Sequence, residues 1–135
     1  MASRDTRAGR KRTTHVGGSF SDAGIGVDIE DVRRFTCLTR EFMERVYTPR
    51  EISYCLSKAK PEQHFAARFA GKEAVMKALS TSLTKIGYGD IEIMNEAGGR
   101  PRVVLGKGYS GYSLLISLSH CEDKAVAFVL GFRSG

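Results

Sequence analysis

GIGVDIE, at residues 24–30, alternates isoleucine and valine with glycine and acidic residues. A period of two is typical of a β-strand, so the apolar side chains are predicted to share one face, and Gly26, Asp28 and Glu30 the other. Gly26 has no side chain, which leaves space for a large group to approach the backbone. Two carboxylates beside that space favour a hard divalent cation such as Mg²⁺. A solvated polar face on an edge strand explains the same pattern, so the strand alone does not decide between the two.

The segments that follow this strand predict an α+β domain with a mostly antiparallel sheet. TPRE, at residues 48–51, has a capping threonine, a proline in the first turn and a glutamate three residues after the cap, which is typical of the start of a helix. The longest helix is predicted at residues 62–80, and the sheet is expected to pack against it. Residues 106–113, GKGYSGYS, are glycine-rich and too short for a helix of useful length. The remaining predictions are one or two short helices within 31–47 and strands at 90–94, 101–105, 114–119 and 124–132.

The long helix carries a second group of candidate site residues within FAGKEAVMKA, at residues 69–78. Glu73 and Lys77 are four residues apart, so they share one face of the helix and could together hold a metal ion and a phosphate. A surface ion pair, which contributes only about 0.2–0.5 kcal/mol, explains the same spacing. Arg68 is a candidate for a second phosphate, and His120, at a strand end, for phosphate binding or proton transfer. Each of these two is also explained as a solvated polar residue.

Composition and charge limit the classes of protein that the chain can be. Its 135 residues allow one domain, and its longest apolar run, residues 125–130, falls far short of a transmembrane helix. Three cysteines without a Cys-x-x-Cys pair argue against a disulfide framework or a zinc site and fit a reducing compartment, so a cytoplasmic location is expected. Residues 1–19 hold five basic residues and one acidic residue, so they carry +4 of the net charge of +6.

A domain boundary is predicted after residue 22. Residues 1–22 have almost no apolar content and are predicted to be a basic, disordered extension, followed by one folded domain at 23–135. The extension fits a remnant of an upstream sequence, an organelle transit peptide or an electrostatic arm for nucleic acid. Because no aromatic residues interleave with its charges, the nucleic-acid arm is the least favoured of the three.

Five motifs occur in a fixed order: GIGVDIE at 24–30, FMERVYTPREISYC at 42–55, FAARFAGKEAVMKAL at 65–79, GGRPRV at 98–103 and ISLSH at 116–120. Together they resemble the 4′-phosphopantetheinyl transferases, in particular the small, single-domain holo-acyl-carrier-protein synthase branch. TPREISYC is also similar to the transferase domain of fungal-type fatty acid synthases. Each motif alone is weak, but the joint pattern is specific and covers about residues 24–132.

This resemblance implies a reaction and a set of residues for it. The family transfers the phosphopantetheine arm of coenzyme A to a serine of an acyl carrier protein and releases 3′,5′-ADP, with Mg²⁺. By similarity, Asp28 and Glu73 hold the metal ion, Glu30 is a further ligand, and Lys77 places positive charge on the phosphates. Glu73 is the first candidate for the base that deprotonates the serine, and Glu30 is the second.

The resemblance also implies where the two substrates bind. Arg68 and His120 are expected to contact the nucleotide end of coenzyme A, including its 3′-phosphate. Carrier proteins present acidic helices, so basic residues with an apolar anchor make a suitable docking surface. The residues expected to dock the carrier protein are Arg33, Arg34, Phe42 and Arg45.

Small members of the family form homotrimers with active sites between subunits, and the same assembly is expected here. No membrane or nucleic acid is expected as a partner. Residues 106–113 are shorter than the connection usual in the family, which bears on the wall of the coenzyme A pocket. Two alternatives remain: a non-catalytic subunit that docks carrier proteins, and a basic nucleic-acid-binding module that depends on residues 1–19.

Overall fold

The structure of the protein is a computed structural model, and it describes residues 23–79 and 85–133. The predicted extension at 1–22 lies outside the described residues, as does the predicted end of the long helix at residue 80. Single turns of 3-10 helix lie at Val32–Phe35, Tyr88–Asp90 and Lys107–Tyr109. In chain order, the other elements are β1 (Ala23–Asp31), α1 (Arg40–Val46), α2 (Pro49–Leu56), α3 (Pro61–Ala78), β2 (Ile91–Asn95), β3 (Pro101–Leu105), β4 (Tyr112–His120) and β5 (Lys124–Arg133).

The strands form two antiparallel sheets, one with the order β1-β5-β4 and one that pairs β2 with β3. The predicted α+β fold with antiparallel strands is confirmed, although the strands are divided between two sheets. In the larger sheet, Asp28 lies opposite Ala127 and Val27 lies opposite Phe128. Paired residues of antiparallel strands point to the same face of the sheet. Asp28 and Ala127 therefore lie on one face of the larger sheet, and Val27 and Phe128 lie on the other. The long helix α3 packs against β1 and β5 on the polar side.

The start of α2 has the local chemistry that the sequence predicts, and α3 begins at a proline. At the start of α2, Thr48 Oγ1 accepts a hydrogen bond from the Glu51 backbone N–H at 3.3 Å, and Glu51 Oε1 accepts one from the Thr48 N–H at 2.9 Å. This reciprocal arrangement satisfies donors that would otherwise be left without a partner at the helix terminus. Helix α3 begins at Pro61, which needs no hydrogen-bond partner for its nitrogen in the first turn.

Helix α3 lies directly on the glycine face of β1. A Cβ atom built on Gly24 would overlap the carbonyl oxygen of Ala78, and one built on Gly26 would overlap that of Ala74. The prediction that Gly26 leaves space for a ligand is therefore wrong, because the backbone of α3 fills that space. The missing side chains instead allow helix and strand to meet at backbone distance. The alternative of a solvated polar face fails for the same reason, since Glu30 is only 9% exposed.

The opposite face of the larger sheet is apolar and uncovered by any described residue. We call it the apolar sheet face. On β1, Ile25, Val27 and Ile29 are 62%, 55% and 61% exposed, although their side chains are the ones expected to be buried in an isolated domain. Leu115 on β4 and Phe128 on β5 continue the same face across the sheet. A contiguous apolar surface of this kind is typical of a protein–protein interface.

A buried ion pair ties α2, α3 and β2 together. Lys72 Nζ lies 2.8 Å from Glu51 Oε1, and both side chains are 0% exposed. The ammonium also donates to the carbonyl oxygens of Tyr88, at 3.0 Å, and Ile91, while Glu51 Oε2 accepts from the Ile93 N–H at 2.7 Å. Burial lowers the pKa of Lys72, and the carboxylate of Glu51 opposes that shift. A buried charge is tolerated because both partners are saturated with hydrogen bonds.

Candidate active site

Asp28 projects from the covered face of β1 and meets Lys77 of α3. Lys77 Nζ lies 3.2 Å from Asp28 Oδ1 and donates a hydrogen bond to the Val27 carbonyl oxygen at 2.8 Å. The other oxygen of Asp28, Oδ2, is buried and accepts no hydrogen bond from a described residue. A buried polar atom without a partner costs roughly 1–3 kcal/mol, so such an atom in a native site calls for a ligand or ion.

Glu30 follows Asp28 on the same face of the strand. Arg34 Nη1 lies 2.6 Å from Glu30 Oε1, which pairs the carboxylate with a charge from its own chain. Burial, and then the nearby carboxyl group of Asp28, raises the pKa of Glu30 from 4.5 to about 7, although Arg34 opposes the shift. The pKa of Glu30 rises because burial and a neighbouring carboxyl group both disfavour its charged form.

This raised pKa predicts how the stability of the metal-free protein depends on pH. Between pH 4.5 and about 7 the folded state binds a proton at Glu30 that the unfolded state does not. The contribution of Glu30 is therefore fully present below pH 4.5 and is lost as the pH rises through about 7. We expect urea unfolding in EDTA to show a free energy of unfolding that declines over this range relative to Glu30→Gln.

The difference between wild type and Glu30→Gln is the quantity to measure, because His64 titrates in the same range with the opposite sign. Burial, with the positive charge of Arg68, lowers the pKa of His64, so its contribution is lost as the pH falls. A difference that stays constant between about pH 5 and 8 would contradict the prediction for Glu30.

Glu73 lies one helical turn before Lys77 on α3 and is held by a tyrosine that the sequence analysis did not identify. The phenol of Tyr88 donates a hydrogen bond to Glu73 Oε2 at 2.5 Å. Burial, the bond to Glu73, and the charges of Glu30 and Asp28 raise the pKa of Tyr88 to about 12. All three carboxylates thus act on one phenol, and we call Asp28, Glu30 and Glu73 the carboxylate cluster.

The carboxylate cluster fits the magnesium ion that the resemblance implies. Mg²⁺ prefers oxygen ligands and is usually held by one or two carboxylates together with substrate phosphates and water. The unpaired buried oxygen of Asp28 supplies one such ligand, and Glu73 supplies a carboxylate from a second element. In the described part of the chain, no group of three or more His, Cys, Asp or Glu side chains could hold a metal ion between them. The site would therefore depend on the substrate to complete the coordination.

Arg68 and His120 belong to a different cluster, which we call the basic cluster, with Tyr54 and His64. The guanidinium of Arg68 stacks over the Tyr54 ring at 4.2 Å, and its Nη2 donates to Asn95 Oδ1 at 2.5 Å. Arg68 is only 2% exposed, and its Nε is buried without a hydrogen-bond partner among the described residues. The His64 and His120 rings meet edge to face at 5.6 Å. The cluster offers one unsatisfied donor, Arg68 Nε, and the positive charge of that guanidinium, and both features suit an anion site.

The two clusters lie on different sides of α3. Arg68 and Glu73 are five residues apart, which places them about 140° apart around the helix axis. No hydrogen bond or ring contact between described residues joins Arg68 or His120 to Asp28 or Glu73. A single chain therefore brings Asp28 to Lys77, one helical turn after Glu73, but it does not bring the predicted nucleotide ligands to them.

The predicted docking residues lie around the 3-10 turn after β1 and on α1. Arg33 is paired with Asp31 at 2.7 Å, which holds the pKa of that carboxyl well below its usual range. Arg34 is paired with Glu30, and Arg45 lies 5.8 Å from the centre of the Phe42 ring. Phe42 is half-buried because it packs on other rings of the core, so it presents only part of its surface.

Sequence reasoning missed the residues whose roles depend on contacts across the fold. Tyr88, Lys72 and Tyr54 carry no local signal, because each acts through a partner at least 14 positions away in the chain. Glu51 was recognised only as part of the helix cap. One signal was available in the sequence. Glu51, in the helix cap, and Lys72, beside Glu73, both fall at positions that the helical pattern predicts to be buried.

Residues 24–129 match the family described as the 4′-phosphopantetheinyl transferase superfamily. The chain therefore belongs to this superfamily. A holo-[acyl-carrier-protein] synthase from Protochlamydia amoebophila is 41% identical over 116 residues, which are 79% of this chain and 95% of that protein. The predicted resemblance and the predicted enzyme class are both confirmed by these matches.

Solved structures show the same fold. The crystal structure of holo-[acyl-carrier-protein] synthase from Neisseria meningitidis has a TM-score of 0.73 and 32% identity, and the match covers 82% of this chain and 98% of that one. The Helicobacter pylori synthase, solved in complex with coenzyme A, has a TM-score of 0.67 and 35% identity, with 78% and 96% covered. No helix among the described residues is both long and apolar enough to cross a membrane.

Proposed function

We propose that the protein transfers 4′-phosphopantetheine from coenzyme A to a serine of an acyl carrier protein and releases 3′,5′-ADP, with Mg²⁺ as cofactor. The observation that carries this proposal is the meeting of Asp28 on β1 with Lys77 one turn after Glu73 on α3, with one buried oxygen of Asp28 left unpaired. Its similarity to proteins named holo-[acyl-carrier-protein] synthase, one of them solved with coenzyme A, supports the choice of substrates.

The chemical problem is to neutralise a pyrophosphate and to place a hydroxyl in line with its β-phosphorus. Asp28 and Glu73 would hold Mg²⁺, which when bound supplies positive charge to the pyrophosphate oxygens. Lys77 adds a fixed positive charge beside them. Glu73 is the first candidate to accept the proton of the carrier serine, directly or through water, and Glu30, whose pKa is raised to about 7, is the second.

We further propose that the chain forms a homotrimer whose active sites lie between subunits. The basic cluster would bind the nucleotide end of coenzyme A through Arg68 and His120, but it lies on the other side of α3 from the carboxylate cluster within one chain. A neighbouring subunit that supplies its own basic cluster would complete the site. The exposed apolar sheet face supports such an assembly, because a stable monomer rarely leaves a surface of this kind uncovered.

A charge placed on the apolar sheet face is expected to prevent this assembly. Leu115→Asp puts a carboxylate on a side chain that is 63% exposed, so it should not disturb the fold of one subunit. We expect light scattering to show dissociation to the monomer mass of 14.8 kDa at micromolar concentration. We also expect the transfer activity to fall as the trimer dissociates. Leu56→Asp is the matched control for mass, because Leu56 is 57% exposed and lies on α2. A trimer in both variants would contradict this interface.

We propose that the carrier protein docks through Arg33, Arg34, Phe42 and Arg45, whose positive charges suit an acidic helix. In the free chain, Arg33 is paired with Asp31 and Arg34 is paired with Glu30. On docking, each arginine would interact both with its own carboxylate and with the acidic helix of the carrier protein. The cytoplasmic location stays a prediction.

Mass spectrometry of the carrier protein tests the proposed function. The full chain is incubated with apo carrier protein, coenzyme A and Mg²⁺, and the carrier is expected to gain one phosphopantetheine, with no gain in EDTA. Binding of the carrier without a mass gain would instead identify a non-catalytic docking subunit. Salt-dependent binding of nucleic acid that is lost on deleting residues 1–19 would identify the nucleic-acid module. Because the domain is proposed to be residues 23–135, a chain that begins at residue 23 should keep the transferase activity.

A further inference from the structure

The hydrogen bond from Tyr88 to Glu73 gives the carboxylate cluster a part that the family resemblance does not supply. Tyr88 Oη donates to Glu73 Oε2 at 2.5 Å, from a turn that lies 15 positions further along the chain. Hydrogen bonds from a hydroxyl to an ionised carboxylate are short and roughly twice as strong as those between neutral groups. The bond engages one carboxylate oxygen, so the other, Oε1, is the oxygen that a metal ion or a substrate hydroxyl would meet.

Tyr88 is itself held in place by the core. Its carbonyl oxygen accepts a hydrogen bond at 3.0 Å from the buried ammonium of Lys72, which is also paired with Glu51. Its ring contacts the Phe69 ring, with 5.6 Å between the ring centres. Asp90 Oδ2 closes the turn by accepting from the Gly87 N–H at 2.9 Å. The phenol is therefore supported at its backbone and at its ring, and it is not a mobile surface side chain.

A glutamate on a helix face otherwise has several rotamers, and each would place its carboxylate differently relative to Asp28. A donor that is fixed by the core removes this freedom before the metal ion and substrate arrive. Outer partners of metal ligands orient the ligand in the same way, and their loss typically costs about 10–100-fold in metal affinity or activity.

We propose that Tyr88 is a positioning residue for Glu73, fixing Oε2 so that Oε1 is presented to the magnesium ion. The inference rests on the proposed function, since it assigns to Glu73 the metal-binding role proposed above. Tyr88 does not contact the reacting atoms, and it acts only through Glu73.

Tyr88→Phe tests this role, because it keeps the ring on Phe69 and removes only the hydroxyl. We measure Mn²⁺ binding by electron paramagnetic resonance in the presence of coenzyme A and without carrier protein, so that no turnover occurs. The affinity of Tyr88→Phe for Mn²⁺ is expected to fall about tenfold. Tyr47→Phe is the matched control, because it also removes a phenol hydroxyl, one that donates to the Phe65 carbonyl oxygen at 2.8 Å and to no carboxylate, and its affinity should match wild type.

A structural defect and a positioning defect are separated by a magnesium titration of the transfer rate. Weaker metal binding raises the magnesium concentration needed for half-maximal rate, and excess magnesium restores most of the rate, whereas a misfolded fraction is not restored. If Tyr88→Phe does not fold, Tyr88→Met also lacks the hydroxyl and gives the same readout.

Each outcome bears on a different claim. If wild type transfers phosphopantetheine and Tyr88→Phe binds Mn²⁺ as tightly as wild type, the role of Tyr88 is overturned and the proposed function stands. If wild type shows neither transfer nor Mn²⁺ binding, the proposed function fails together with the role of Tyr88.

Discussion

Glu73→Gln and Asp28→Asn are each expected to slow phosphopantetheine transfer about a thousandfold, which corresponds to roughly 4 kcal/mol of lost transition-state stabilisation. Each change keeps the size of the side chain and removes the negative charge that would hold Mg²⁺. The fold should be retained in both variants. In Glu73→Gln, the amide oxygen at position 73 can still accept a hydrogen bond from Tyr88. In Asp28→Asn, the ion pair that is lost is with Lys77, whose side chain is half exposed. The measurement is the initial rate of mass gain by the carrier protein.

Glu96→Gln is the matched control for these variants, because Glu96 is exposed and its side chain has no partner among the described residues. Thermal unfolding of all three variants should follow wild type closely. Transfer rates equal to that of wild type in both Glu73→Gln and Asp28→Asn would refute the assignment of these two acids as the metal ligands.

Lys72→Met is expected to lower the free energy of unfolding by about 3–5 kcal/mol, because it leaves a buried carboxylate without its counter-charge. The Glu51 carboxylate is 0% exposed, and the carbonyl oxygens of Tyr88 and Ile91 would lose the same donor. Urea unfolding at a fixed protein concentration measures the effect, since assembly would otherwise alter the apparent stability.

Lys77→Met makes the same chemical change on the same helix and provides the comparison. The Lys77 side chain is 53% exposed, and a pair of this kind contributes at most about 1 kcal/mol. The double variant Glu51→Gln with Lys72→Met should recover part of the loss, because no buried charge remains. An equal effect of Lys72→Met and Lys77→Met would show that the buried pair has no special weight in the fold.

The sequence predicted the elements of this fold because its local patterns are strong. The alternation at 24–30 indicated β1, and the threonine cap with its glutamate indicated the start of α2. The two candidate groups, Asp28 with Glu30 and Glu73 with Lys77, were each ambiguous alone. The packing of α3 on β1 brings them together, and this supports the functional interpretation over that of isolated surface charges.

The parts that the sequence did not predict depend on contacts between distant segments. Gly26 was interpreted as space for a ligand, since its position against α3 cannot be deduced from the alternation of β1. Tyr88 and the pair of Glu51 with Lys72 act through partners that only the tertiary structure brings near. The division of the predicted binding residues between two clusters likewise arises from the helical rotation between Arg68 and Glu73, which motif order does not show.

Gly24 and Gly26 show that the position of site residues can depend on side chains that are absent. The two glycines allow α3 to lie at backbone distance from β1, and that distance allows Lys77 of the helix to contact Asp28 of the strand. A methyl group at either position would force α3 away from β1 without altering any reactive side chain. A list of reactive side chains would omit these two glycines, although they set the spacing between the strand that carries Asp28 and the helix that carries Glu73.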